Sequence, residues 1–457
     1  MQPARSMLVL LALVAHGFTA CLPAALAAEP SADTNAIQSL TPADARRLAA
    51  DFPGVDAEIT IMGSSQATLF QALPLNGLKS LDADTAKALA GYGKETLILN
   101  GLAKLDADAA MALAEFKGKR LVLNGLATLD AATAKALAAF RGEWLGLSGL
   151  TTLDAETAKA LASSSSIRLD LSGLPKLDAT IARPLAGFRG EMLILNGLLT
   201  IDADTAAALA EYGGTCLQLT GLKSLDADAA KPLAKSKAWD GNLTRLTTLD
   251  APTAASLAEF QGNHLMFQDL ASLDAATAGA LSSFKGGLFL QGLTTLDAAT
   301  ARALVAKFKG HHLIMGSLAT LDAATAQALG EYEGMFGVPE EVLAELVAEH
   351  PLDSRTALMY ARLSNGELAF VTAFTSRDSV EIAKVLATRK GRLALPNLEK
   401  ISPKTLTALI EKRDVEIPLI EQLELIAEPD GSPTDDFVVP QWLEDRQKQQ
   451  RANQQDE

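Results

Sequence analysis

Residues 97–120 read LILNGLAKLDADAAMALAEFKGKR, and the order of apolar and polar positions in this stretch decides the fold. Leu97-Ile98-Leu99 alternates with period two and breaks at Asn100-Gly101, as a short strand does on entering a turn. Leu102 and Leu105 carry the apolar phase through the bend. Asp106 stands where a helix N-cap belongs, its carboxylate placed to accept from the free N–H groups of the first turn. Asp108 adds negative charge at the positive end of the helix dipole. Ala110, Leu113 and Ala114 then share one helical face, and Phe116 closes it. Gly118 is expected at the C-terminal cap, in the left-handed conformation that glycine adopts at little cost.

The same unit recurs. Leu-Asp-Ala, once Ile-Asp-Ala, places Asp at 82, 106, 130, 154, 178, 202, 226, 250, 274, 297 and 322; most steps are 24 residues and the last two are 23 and 25. A period of this size reads as a solenoid. One unit cannot stand alone, because each buried leucine yields only ~1.5 to 3 kcal/mol while ordering costs ~1.5 kcal/mol per residue. Stacking covers both faces, and a strand that returns beside itself after one helix requires a right-handed crossover and a parallel sheet. The aromatic of Phe116 recurs at 92, 140, 188, 212, 260, 284, 308 and 332, but Ser164 and Ser236 replace it, so those two rungs are expected to be the loosest.

The pattern Leu97, Leu99, Leu102, Leu105 resembles the leucine-rich repeat of bacterial exported proteins. Leu393 to Ile401, LALPNLEKI, is similar to a surface-protein subclass that places Pro after the strand. The resemblance covers residues 73–334 and, in the second form, 379–423. It implies an α/β solenoid: a right-handed leucine-rich-repeat-like array of strand-turn-helix units with a parallel sheet on one face. It implies no chemistry. In one departure, Leu replaces the asparagine ladder typical of these repeats.

Outside the array the residues suggest further segments. Residues 1–27 read as a secretory signal peptide, with Arg5 before the apolar run Met7 to Ala15 and small residues at Ala25 and Ala27. The alternative is a lipid anchor at Cys21, after Phe18-Thr19-Ala20. Residues 28–72 read as a degenerate N-terminal cap repeat with Ile59-Thr60-Ile61 as its strand. The regular array follows over 73–334, and a helical insertion over 335–366, with Pro339 opening one helix and Asp353 capping another. C-terminal repeats and a terminal strand, Val415-Glu416-Ile417, fill 367–428, and 429–457 is polar enough to be a disordered tail, apart from the apolar island Phe437 to Leu443.

Hydrophobic residues make up 48% of the chain, too apolar for disorder and too interrupted for a membrane span. The formal net charge of −15 repels phosphate backbones, so nucleic acid is not an expected partner. Cleavage of the leader leaves Cys216 without a partner, so no intrachain disulfide is expected.

Strand positions that face away from the core are the candidate binding surface. The middle positions run Pro74, Ile98, Val122, Gly146, Asp170, Ile194, Gln218, Asn242, Met266, Phe289, Ile314. Either a protein or peptide partner covers this apolar column, or β-branched residues simply suit strands. Cys216, Asp240 and His264 fall on successive rungs, but rungs ~4.8 Å apart leave Cys and His too distant for a nucleophile and its base. His264 and His312 are separated in the same way, and His311 and His312 point to opposite faces. Neither catalytic nor metal residues nor a cofactor are therefore assigned. Arg120, Trp144 and Arg168 share one column, and cations flanking an indole suit a carboxylate-bearing or sugar-containing ligand; the bland alternative is that each Arg pairs with a nearby acid. With Ile194, Met266 and Phe289 they form the ligand-binding candidates. The expected function is a non-enzymatic exported scaffold, periplasmic, at the cell surface or secreted. A structural component of the envelope is the alternative, and an enzyme the remote one.

Overall fold

The computed structural model describes residues 33–59, 68–350, 352–354, 356–363, 365–434 and 437–455; the signal-peptide reading and Cys21 lie outside them. In each regular unit of the array the helix has Asp at its N-cap. From Asp82 to Asp322 each of these carboxylates accepts a backbone N–H of the first helical turn, as Asp130 does from Thr133 at 2.8 Å and Asp322 from Thr325 at 2.7 Å. The helix behind each cap buries Ala and Leu against its neighbours, for example Ala109, Ala110 and Leu113 of helix Ala107–Ala114.

Beyond the first strand, the strands stack in parallel, one per rung. Strands β1 (Val55–Ile59), β2 (Thr68–Pro74), β3 (Thr96–Ile98), β4 (Arg120–Val122), β5 (Trp144–Gly146), β6 (Arg168–Asp170), β7 (Met192–Ile194) and β8 (Cys216–Gln218) form one sheet in sequence order. β9 (His264–Phe267), β10 (Gly287–Leu290), β11 (His312–Ile314) and β12 (Met335–Gly337) form a second. Leu97, Leu121, Leu145, Leu169, Leu193 and Leu217 are register partners and are fully buried, so the inward phase read from the sequence is the observed one. The result is an α/β solenoid, strands on one side and helices on the other.

Gly118 differs from expectation, since it is not among the positive-φ glycines. A Cβ on Gly118 would lie 2.2 Å from the Phe116 ring and 2.6 Å from the Lys94 carbonyl, so the aromatic two residues earlier excludes it. Where the aromatic is missing the glycine is missing too: Ser164 is followed by Ser166, and Ser236 by Ala238. The two rungs expected to be loose then diverge. Ser164 and Ser166 join their hydroxyls at 3.0 Å and β6 stays in register. In the other, Trp239 turns inward, 3% exposed and 4.8 Å from the Phe260 ring, and Gly241 takes a φ of 73°. The sheet breaks there, leaving single bridges Leu217–Trp239 and Asn242–Met266, while the helices continue to pack across it.

An asparagine ladder is present after all on some rungs, two places beyond the strand. The Oδ1 atoms of Asn100 and Asn124 accept from the Asn124 and Ser148 amides of the next rung at 3.0 Å each, and Asn196 accepts from Thr220 at 3.1 Å. Leu holds the position where the family's ladder was sought, so the function moved along the turn.

The ends also depart from expectation. β1 is not a degenerate parallel rung: it runs antiparallel to β2, pairing Val55 with Ala72, and of the expected strand only Ile59 lies within the described residues. Met335–Gly337 pairs with β11, so the insertion is a rung with helix Glu340–Glu349 added rather than an interruption. The tail is not disordered over its described part. Helix Gln441–Gln455 docks on the last rung, with Leu443 1% exposed, Arg446 donating to the Val415 carbonyl at 2.7 Å and Arg451 paired with Glu421 at 2.8 Å. Its polarity suits this place, because side chains, not apolar surface, satisfy the open backbone of a terminal strand.

Candidate strand-face site

Register places Arg120, Trp144 and Arg168 side by side on β4, β5 and β6, followed by Met192 and Cys216. They are not equivalent. Arg120 is 5% exposed, its guanidinium carbon 3.1 Å from the centroid of the Phe70 ring, so it is sequestered beneath the N-terminal hairpin strand and is removed from the ligand-facing set. Burial holds its pKa below the usual value against the pull of Glu143 and Glu95. The pairing of each Arg with an acid does not occur: Arg120 Nη1 is buried without a partner, and the Arg168 side chain makes no hydrogen bond or ion pair among the described residues.

Trp144 and Arg168 are half-buried and lie next to the middle column, where Val122, Gly146, Asp170 and Ile194 are register partners. Gly146 is closely covered: a Cβ there would lie 3.2 Å from Asn124 Oδ1, 3.4 Å from Val122 and 3.5 Å from Trp144 Nε1, so its neighbours already occupy the space above it. Ile194 is only 6% exposed and adds little contact surface. Asp170 was visible as the one acid in the middle column but was not singled out. Its Oδ1 accepts from both the Ser172 amide (3.0 Å) and hydroxyl (2.6 Å). It thereby replaces the ladder contact that Ser148, standing where other rungs have Asn, does not make. Burial raises its pKa, opposed by the Ser172 hydrogen bonds.

Met266 and Phe289 are partners in the second sheet, beyond the break, and do not join the Trp144 group. Phe289 lines an open groove of about 1270 Å³ with His264, Lys285 and His312; the two histidines flank Gly287 in register. The two histidines stand two rungs apart, with β10 between them, and among the described residues no three His, Cys, Asp or Glu side chains gather as a metal set. Cys216 is half-buried and its thiol is pushed up to about 11 by burial and then by Asp240, which keeps it protonated at neutral pH. Asp240, in the broken rung, is pushed up to about 6 by burial while its Oδ1 holds the Asn242 amide at 3.0 Å. No described helix is long and apolar enough to cross a membrane.

No family model matches the chain. No curated protein matches it. Among solved structures, the chain is similar to one from the Toll-Spatzle complex, a molecular hub in Drosophila development and innate immunity, at 15% identity and a TM-score of 0.43, covering 75% of this chain and 49% of that one. It is also similar to one from the TLR13-ssRNA13 complex, at 18% identity and a TM-score of 0.46, covering 76% and 49%. The chain spans about half the length of these solved chains. The chain's own geometry, with one parallel strand, one inward leucine set and one Asp-capped helix per rung, makes it an α/β solenoid of the leucine-rich-repeat form.

Proposed function

We propose that the protein is a non-enzymatic scaffold that binds a protein or other ligand through its strand face, and that residues 1–27 export it to the periplasm, the cell surface or the medium. The observation that carries the binding reading is the outward column itself. Ile98 and Val122 in the first sheet, and Met266, Phe289 and Ile314 in the second, remain partly exposed in register, two apolar stretches that water covers poorly. The acidic balance of the chain speaks against nucleic acid as the partner. The alternative of an envelope component built by stacking repeats end to end has less support, because β1 and helix Gln441–Gln455 occupy the two ends of the array.

Cross-linking of the protein in its own envelope, with a photoreactive residue at Val122 or Phe289 on the strand face and at Met111 on the helix face, tests the scaffold reading. Capture from the strand face alone is expected; equal capture from both faces would overturn it. Export is read by intact mass. The expected N-terminus is near Ala28 without lipid, and a diacylated Cys21 would replace soluble export with anchoring.

A further inference from the structure

The cations of this acidic chain are not spread evenly. The groove that Phe289 lines continues past His311 and His312 into a second cavity of about 580 Å³ on the rungs that follow. It begins at Lys235, beside the rung whose Trp239 has turned inward, so groove and sheet break coincide. Lys235, Lys285, Lys309, Arg362, Arg389 and Lys390 line the two cavities against only two acids, Glu259 and Glu333, the reverse of the whole chain, where 55 acids outnumber 40 Lys and Arg. Glu333 is already taken: Lys309 pairs with it at 3.1 Å and, with Arg362 and Lys390, holds its carboxyl below the usual range. Lys285 and Lys390 are exposed and form no salt bridge among the described residues. Arg362 is half-buried; its Nη1 donates to the Glu333 carbonyl at 3.0 Å, while its Nε is buried without a partner. We propose that this groove holds an extended acidic peptide segment of a protein partner, with one carboxylate on Arg362 and another on Lys285.

The lining selects a peptide over other anions. Phe289 stands edge-on to His264 at 6.0 Å, and Ala255, Ala258, Ala280 and the 38% exposed Met335 lie among the cations. A peptide carries both kinds of side chain at short spacing, carboxylates for the cations and apolar groups for Phe289 and Met335. A polyphosphate or uronic-acid chain would leave those apolar walls uncovered, and past the groove it would run onto the acidic remainder of the protein. A carboxylate also meets a guanidinium as a fork, which answers an N–H that has no acceptor. From Lys285 to Arg362 the groove crosses three rung steps, ~14 Å at ~4.8 Å each, the span of about four extended residues.

The inference rests on the protein being a binding scaffold, and the experiment keeps the two apart. The full chain is titrated, by fluorescence anisotropy, with a labelled hexapeptide of alternating Glu and Leu and with its Gln and Leu counterpart; polyphosphate and polygalacturonate serve as competitors. The Glu peptide is expected to bind at least tenfold more tightly than the Gln peptide, and less tightly as salt shortens the Debye length. Lys285→Glu combined with Lys390→Glu should lower its affinity at least tenfold at an unchanged melting temperature, both side chains being exposed. Arg362→Lys keeps the charge but loses the fork, so it should lower affinity severalfold. Lys135→Glu with Lys159→Glu makes the same change of net charge on exposed positions of the helix face and should leave binding as it was. No binding of the Glu peptide, equal binding of the Gln peptide, equal losses from the groove and helix-face pairs, or tighter binding of either polyanion than of the Glu peptide would each overturn the assignment. Protein capture from Val122 or Phe289 that persists in the Lys285→Glu, Lys390→Glu variant would then leave the scaffold reading standing.

Discussion

At the scale of single residues, two populations of aspartate respond to pH in opposite directions. Asp82, Asp130, Asp154, Asp274 and Asp297 are held below the usual carboxylate range, first by the backbone N–H they cap. A depressed folded-state pKa gives stability that is present above the unfolded value and lost as pH falls through the folded one. Asp240 has the reverse sign: burial raises it to about 6, so its contribution is present below the unfolded value and lost as pH rises through about 6. Asp240→Asn keeps the acceptor for Asn242 and removes the buried charge. It is expected to stabilise the protein by about 2 to 3 kcal/mol at pH 7.5, with the gain vanishing near pH 4; urea titrations at both pH values check this, and a variant less stable at pH 7.5 refutes the assignment. A single cap is worth less: Asp130→Ala should cost about 0.5 to 2 kcal/mol in the same measurement at neutral pH. The caps were legible because Asp recurs at one helical position. Arg120 was misread because what covers it, Phe70, lies in the part of β2 that precedes the repeat register, and no repeat pattern reports a contact made by a non-repeating segment.

Elements depend on pairs of residues that the sequence spaces but does not explain. Phe116 and Gly118 form one such pair, as do Phe140 with Gly142 and Phe188 with Gly190, each glycine 2.3 Å or less from a ring atom once a Cβ is added. Gly118→Ala is therefore expected to be costly, since the backbone of Lys94 as well as the ring must yield. Phe116→Ser with Gly118→Ser copies the natural Ser164 and Ser166 arrangement and is expected to cost less than the sum of its two single changes; additivity in a double-mutant cycle would mean that ring and glycine are independent. Within a strand, Leu147→Ala should cost ~2 to 5 kcal/mol, Leu147 being fully buried, and Gly146→Ser much less. The spacing of strands and helices was readable from two periodicities. The break at Ser236–Arg245 was only half readable: the lost aromatic was seen, but that Trp239 would enter the core and Gly241 take its strand position required knowing which of two apolar side chains the vacant volume suits.

For the molecule as a whole, the helix Gln441–Gln455 matters more than its composition suggests. Arg446 and Gln447 donate to the Val415 and Pro418 carbonyls, and Gln447 accepts from the Ile420 amide. A chain ending at residue 440 should expose those groups and self-associate in sedimentation experiments, whereas the intact chain should not; identical behaviour of the two would deny the tail a capping role. The array was legible from one repeat, and its two ends were not, because a cap is whatever non-repeating segment satisfies the last rung. The broken rung has a mechanical meaning as well. Pulled from its two ends, a solenoid peels rung by rung, and the extension at which it first yields is set by its weakest seam. Here that seam crosses the sheet between β8 and β9, where single bridges replace a strand pair on each side. Force applied along the axis should open the strand face there first while the helices Ala227–Lys235 and Ala251–Leu257 stay in contact, so the protein flexes like a hinged ruler before it unravels.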